Sequence, residues 1–184
     1  MRKGPALGAI LLGALITLPP LAAAAPAKPP LRVDLELALA IDTSGSVDEE
    51  EGRLQRKGYV EAFTAPEVLA AIRSGFHKRI AVTYFEWAGD SFQQTVVPWT
   101  LIDGAASAAA FASELAIQPI GVGPYTSISD AITYAMPLFH KNGFEAPRQV
   151  IDISGDGPNN SGRLVTLARA EALRAGLTIN GLPI

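Results

Sequence analysis

Between Leu35 and Ile41 the chain alternates: Leu35, Leu37, Leu39 and Ile41 fall on one side, Glu36, Ala38 and Ala40 on the other. A period of two is that of a strand. Alanines on the second side leave that face free for helices, which predicts a central parallel strand. The run ends at Asp42, and hydroxyls follow at Thr43, Ser44 and Ser46. Asp48, Glu49, Glu50 and Glu51 come next, and acids are favoured in the first turn of a helix. The stretch therefore predicts strand, hydroxyl-rich turn and helix. Its carboxylate stands at the strand's carboxyl end, where open α/β sheets place their ligands.

The same alternation of periods runs through the rest of the chain. A helix from about Asp48 is expected to bury Leu54, Gly58, Tyr59, Ala62 and Phe63. Thr64-Ala65-Pro66-Glu67 matches a capping box, so a second short helix would carry Val68, Leu69 and Ile72. Residues 79–86 read as a strand rich in β-branched and aromatic side chains. After a turn at Gly89-Asp90, Thr95 to Pro98 reads as a short edge strand, because proline cannot donate to a central ladder. Asp103 is expected to cap an alanine-rich helix to Ile117, with Ala108, Phe111 and Leu115 inward. A glycine-containing loop from Gln118 to Thr126 precedes an amphipathic helix marked by Ile128, Ala131, Ile132, Ala135 and Phe139, which Pro137 should kink or shorten. Residues 149–154 form a further strand, which ends in the turn Gly155-Asp156-Gly157-Pro158. A helix from about Asn160 to Ala175 then carries Leu164, Leu167, Ala168 and Ala172 and stops at Gly176. The last strand, 177–182, is expected beside 149–154 with its other edge exposed. Strands alternating with helices imply an α/β fold: a doubly wound, mostly parallel sheet with one antiparallel edge strand and helices on both faces.

The length of 184 residues suits one domain. Residues 1–25 read as a signal peptide: Arg2 and Lys3 lead, Ala6 to Leu18 form an apolar core, and Leu21 to Ala25 a small-residue cleavage zone. The core is short for a bilayer and ends at Pro19-Pro20; a membrane anchor is the alternative. Residues 26–31 form a proline-rich lead-in, and 32–184 the domain. There is no cysteine, hence no disulfide framework and no lipid-modified cysteine. We expect a secreted protein, periplasmic in a Gram-negative host, with no stable membrane insertion after cleavage. Loss of Arg2 and Lys3 takes the formal charge from −3 to about −5, which argues against nucleic acid and anionic membranes as partners.

Two more strand-to-helix turns reach the same edge of such a sheet as Asp42. One offers Thr126, Ser127 and Ser129; the other offers Asp156. Carboxylates and hydroxyls, with no histidine or cysteine nearby, make an all-oxygen set suited to a hard cation such as Mg²⁺ or Mn²⁺. Taken alone, Asp42 and its serines could equally cap a turn and a helix. His77 and His140 lack any paired ligand spacing and read as surface or capping groups. Trp87 and Trp99 read as packing residues around the hairpin.

Asp42-x-Ser44-x-Ser46 after an apolar strand, with Thr126 and Asp156 in two later loops, resembles the metal-ion-dependent adhesion site (MIDAS) of von Willebrand factor type A domains. The resemblance runs from about Val33 to Ile184 and points to a bacterial secreted branch. It implies a Mg²⁺ held by Ser44, Ser46 and Thr126, with Asp42 and Asp156 acting partly through water; Mn²⁺ or Ca²⁺ are alternatives. It also implies an open coordination position for an acidic residue of a protein partner, in adhesion or complex assembly. Two departures stand out. The second loop reads Gly-Val-Gly-Pro-Tyr-Thr-Ser, where the family usually has glycine directly before its threonine. Family members also continue beyond Ile179 with another helix, strand and helix, so the domain is expected to be C-terminally truncated.

The resulting expectation is a non-enzymatic, metal-dependent binding module. A truncated, non-functional copy is the alternative, and a Mg²⁺-dependent hydrolase a further one. Asp-Thr-Ser lacks the paired copy that an aspartic protease dyad needs. No histidine stands beside a serine motif as base, and the motif loops hold no lysine or arginine for phosphate.

Overall fold

In the computed structural model the described residues are 29–184, together with Met1 and Gly4; the leader expected at residues 1–25 lies outside them save for those two. The elements are β1 (Leu31–Arg32), β2 (Glu36–Asp42), α1 (Glu49–Thr64), α2 (Pro66–Arg73), β3 (Ile80–Trp87), β4 (Gln93–Ile102), α3 (Ala105–Ile117), α4 (Ile128–Leu138), β5 (Phe144–Glu145), β6 (Gln149–Gly155), α5 (Val165–Arg174) and β7 (Thr178–Pro183). Five strands form one sheet in the order β4-β3-β2-β6-β7, and only the β3–β4 pair is antiparallel.

β2 is central, and its alternation divides the core. Ala38 and Ala40 face α4 and α5, packing with Phe85, Trp87, Ile132, Ala135, Ile151 and Ala168. Leu39 and Ile41 face the other layer, with Phe63, Ile72, Val82, Tyr84, Phe111 and Leu115. Both faces are covered, as a parallel sheet requires. Trp87 is fully buried, and Trp99 packs edge-on against Phe139 while its indole N–H donates to Leu138 O at 2.8 Å. β4 runs well beyond residues 95–98. It tolerates Pro98 because the pairing shifts register between Val82 and Tyr84, on the outer edge strand.

Several local expectations are corrected. In α1 the inward residues are Gly52, Arg56, Tyr59, Val60 and Phe63; Leu54, Gly58 and Ala62 are exposed. Arg56 takes the buried stripe because it has a buried anionic partner. No capping box forms at Thr64: that residue ends α1, and α2 starts with Pro66 at its first position after an uncapped Ala65. Gly104, not Asp103, precedes α3, and Asp103 instead exchanges hydrogen bonds with Ser107. α5 begins only at Val165, because Asn159 and Asn160 are engaged by another loop; Leu164 and Leu167 are exposed. Pro137 falls in the last turn of α4 and ends it. A short parallel pair, β1 with β5, ties the lead-in to the segment before β6.

Candidate metal centre

The chain reverses direction across the sheet at β2: α1 and α2 carry it to β3 on one side, and β6 lies on the other. This is the switch point at which open α/β sheets form a crevice beyond their strand ends. Three loops meet there, after β2, before α4 and after β6.

The five oxygen-bearing residues singled out from the sequence meet in one chain of contacts. Asp42 is fully buried at the end of β2, and its Oδ1 accepts the Ser44 N–H at 2.8 Å. Ser44 Oγ lies 3.1 Å from Ser46 Oγ and accepts from Thr126 Oγ1 at 3.3 Å. Ser46 Oγ donates to Asp156 Oδ1 at 2.8 Å. Ser44 and Thr126 are buried, whereas Ser46 and Asp156 are exposed, so the cluster has a buried floor and an open lip.

The donor set fits a small divalent cation. Asp42 Oδ2 is buried and has no hydrogen-bond partner, which is costly for a carboxylate unless a cation supplies the charge. Burial pushes the Asp42 carboxyl above its usual range, and the nearby Asp156 charge acts the same way against the Ser44 hydrogen bonds. Adjacent oxygens on an octahedron of Mg²⁺–O length stand about 3 Å apart; the separations of 2.8, 3.1 and 3.3 Å bracket that value. Gly155 keeps the space open, since a Cβ there would fall 2.9 Å from Asp42 Oδ2. Among the described residues no three His, Cys, Asp or Glu side chains gather as a metal-holding group; this cluster joins two carboxylates to three hydroxyls.

Pro124-Tyr125 does not take Thr126 out of reach. Tyr125 adopts a φ of 61°, the left-handed conformation more usual for glycine, and this turns Thr126 toward Ser44. The loop is anchored by Gly123 N–H to Thr43 O at 3.1 Å, Gly89 N–H to Pro124 O at 2.9 Å, and Ser127 N–H to Ala88 O at 2.7 Å. Asp130 serves the start of α4: the Ser127 hydroxyl donates to its Oδ2 at 2.5 Å.

Asn159 and Asn160 were not identified from the sequence. Asn160 Oδ1 accepts the Thr126 N–H at 2.8 Å, and Asn159 Oδ1 accepts that of Ser129 at 2.9 Å. The available signal was two adjacent asparagines behind a Gly-Asp-Gly-Pro turn, where amides often serve neighbouring backbone.

A mixed sheet wrapped by helices, with this oxygen-lined rim at its switch point, defines a von Willebrand factor type A-like fold. The chain belongs to the family described as Protein of unknown function (DUF1194), which it matches over residues 32–184. Solved structures share the fold. Proximal thread matrix protein 1 from the mussel byssus superposes with a TM-score of 0.62 at 14% identity, over 83% of this chain and 38% of that one. The same protein with a zinc-occupied MIDAS motif gives 0.61 at 15% identity, over the same shares of the two chains. An aerotolerance-related membrane protein from Bacteroides fragilis gives 0.55 at 21% identity, over 81% of this chain and 67% of that one. The chain thus spans about two fifths of the byssus protein's length. No curated protein matches it. Among the described residues, no helix is long and apolar enough to cross a membrane.

Proposed function

We propose that this is a secreted, non-enzymatic module that binds a protein partner through a divalent cation of MIDAS type. The observation that carries this reading is the convergence of Asp42, Ser44, Ser46, Thr126 and Asp156, with Asp42 Oδ2 buried and unpartnered. These residues would hold the ion, and Mg²⁺ or Mn²⁺ suit the oxygen spacing better than the longer bonds of Ca²⁺. Zinc in the MIDAS of the byssus matrix protein supports divalent-cation binding in this fold. When bound, the ion supplies a positive charge at an open lip that attracts an acidic side chain of the partner. The chain's own residues hold that charge in place, with Asp42 and Ser44 as floor and Ser46 and Asp156 as rim. The basic start, apolar run and small-residue zone of residues 1–25 support export, to the periplasm in a Gram-negative host.

Calorimetric titration of the purified, chelator-treated protein with Mn²⁺ and Mg²⁺ tests the metal site. One site is expected, lost in Asp42→Ala and in Asp156→Ala. If both variants bind as the parent does, these residues are not the ligands.

A further inference from the structure

Among the described residues, Arg56 and Glu86 form the ion pair that is buried on both sides, with 6% and 1% of their surfaces exposed. The pair lies behind the candidate metal centre: Glu86 is the neighbour of Ile41 in the sheet, one residue before Asp42 and Trp87 pair. Arg56 Nε donates to the Tyr84 hydroxyl at 3.3 Å, and the pair's three other hydrogen bonds converge on one segment. Arg56 Nη1 donates to Leu115 O at 2.8 Å and to Gln118 O at 3.1 Å, where α3 hands over to the second loop. Glu86 Oε2 accepts the Gly121 N–H at 2.7 Å inside that loop. The Arg56 guanidinium also sits 5.1 Å from the centre of the Tyr84 ring.

Replacement of a buried ion pair by apolar residues of similar size is often neutral or stabilising, so packing alone does not call for charges here. What an apolar pair could not supply is a fixed acceptor for the Gly121 amide and fixed donors for two carbonyls. From Gly121 the loop runs to Thr126 through the anchors at Gly123 and Pro124. We infer that Arg56 and Glu86 are positioning residues of the metal centre. They hold the entry to the second loop so that Thr126 Oγ1 stays within reach of Ser44 Oγ. The inference rests on the metal-binding reading above and adds two residues from α1 and β3 to it.

The test uses Mn²⁺ as probe together with amide exchange of the metal-free protein, resolved by residue. Glu86→Gln removes one acceptor. The pair Arg56→Met with Glu86→Leu removes both charges and guards against a variant that merely fails to fold. Mn²⁺ affinity should fall about tenfold in each. In a Thr126→Ala background the same changes should alter it by less than about twofold, because the residue being positioned is gone. The Gly121 and Thr126 amides should exchange faster without metal. Unchanged Mn²⁺ affinity with unchanged exchange at both amides overturns the inference, whatever happens to the melting temperature. If the parent takes up no Mn²⁺, the metal-binding reading fails by itself. Exchange at the two amides then decides whether the pair positions the loop: faster exchange upholds it and unchanged exchange sinks it.

Discussion

Thr126 and Asn160 hold each other through one residue's backbone: the Thr126 N–H donates to Asn160 Oδ1 at 2.8 Å, and Thr126 O accepts the Asn160 N–H at 2.9 Å. The second and third loops are therefore tied to each other, although they are separated by α4, β5 and β6. Asn160→Ala leaves the Thr126 N–H without its partner, at a cost of about 1 kcal/mol and a few degrees in melting temperature. Mn²⁺ affinity should drop about tenfold in the same variant. Asn160→Asp keeps the accepting oxygen and should restore most of both. Equal affinity in the alanine variant would show that the clamp does not serve the site.

In the proposed site Asp42 would serve a cation at the expense of the metal-free fold. With Mg²⁺ at a hundred times its dissociation constant, binding stabilises by about 2.7 kcal/mol, or roughly 5–10 °C. Chelator should reverse that shift. Asp42→Asn keeps the shape and removes a buried charge with an unpartnered oxygen. In chelator it should melt at or above the parent, and added Mg²⁺ should leave it unmoved. A metal-free Asn variant that melts well below the parent would contradict the account of Asp42.

Gly155 is required by close approach and not by backbone angle. Gly155→Ala places a methyl group 2.9 Å from Asp42 Oδ2, so the carboxylate must shift. Calorimetry should show metal affinity lowered at least tenfold, since the displaced group is a ligand in the proposed site. Circular dichroism should remain that of the parent, because the residue lies at the end of β6.

Far from the site, Asp34 is expected to make stability depend on pH. Burial opposes its charge, but N–H groups of His77 at 2.9 Å and Arg79 at 3.4 Å hold its carboxyl below the ordinary range. These bonds pin the turn in which Lys78 takes a φ of 57°. A carboxyl lowered in the folded state adds stability above its unfolded value of about 3.9, and loses it as pH falls through the folded value. Asp34→Asn should therefore melt a few degrees below the parent at pH 7. The gap should narrow as the pH is taken below 4. A gap that stays constant with pH would assign it to packing and not to charge.

The alternating pattern of residues 35–41, the acids after Asp48 and the hydroxyls between them were enough to place strand, turn and helix. Each signal lies within one element, so local periodicity and turn chemistry carried it. The mixed sheet with β4 as its antiparallel edge and β7 beside β6 could likewise be read from the order of elements and from Pro98. The oxygen set was legible because each member follows a strand or opens a helix at the same edge of the sheet.

What escaped the sequence depends on partners far along the chain. Arg56 is not among the residues that the helical period places inward, and its burial is decided by Glu86, thirty positions on. Thr126 and Asn160 are thirty-four positions apart, and their bond holds the third loop irregular until α5 opens at Val165. The sequence pattern places the start of that helix at about Asn160. By itself the sequence determined the strand, the turn and the identity of the oxygens. Only the tertiary structure decided which of them face one another and what holds them there, because the burial of a polar group is settled by the partner that satisfies it.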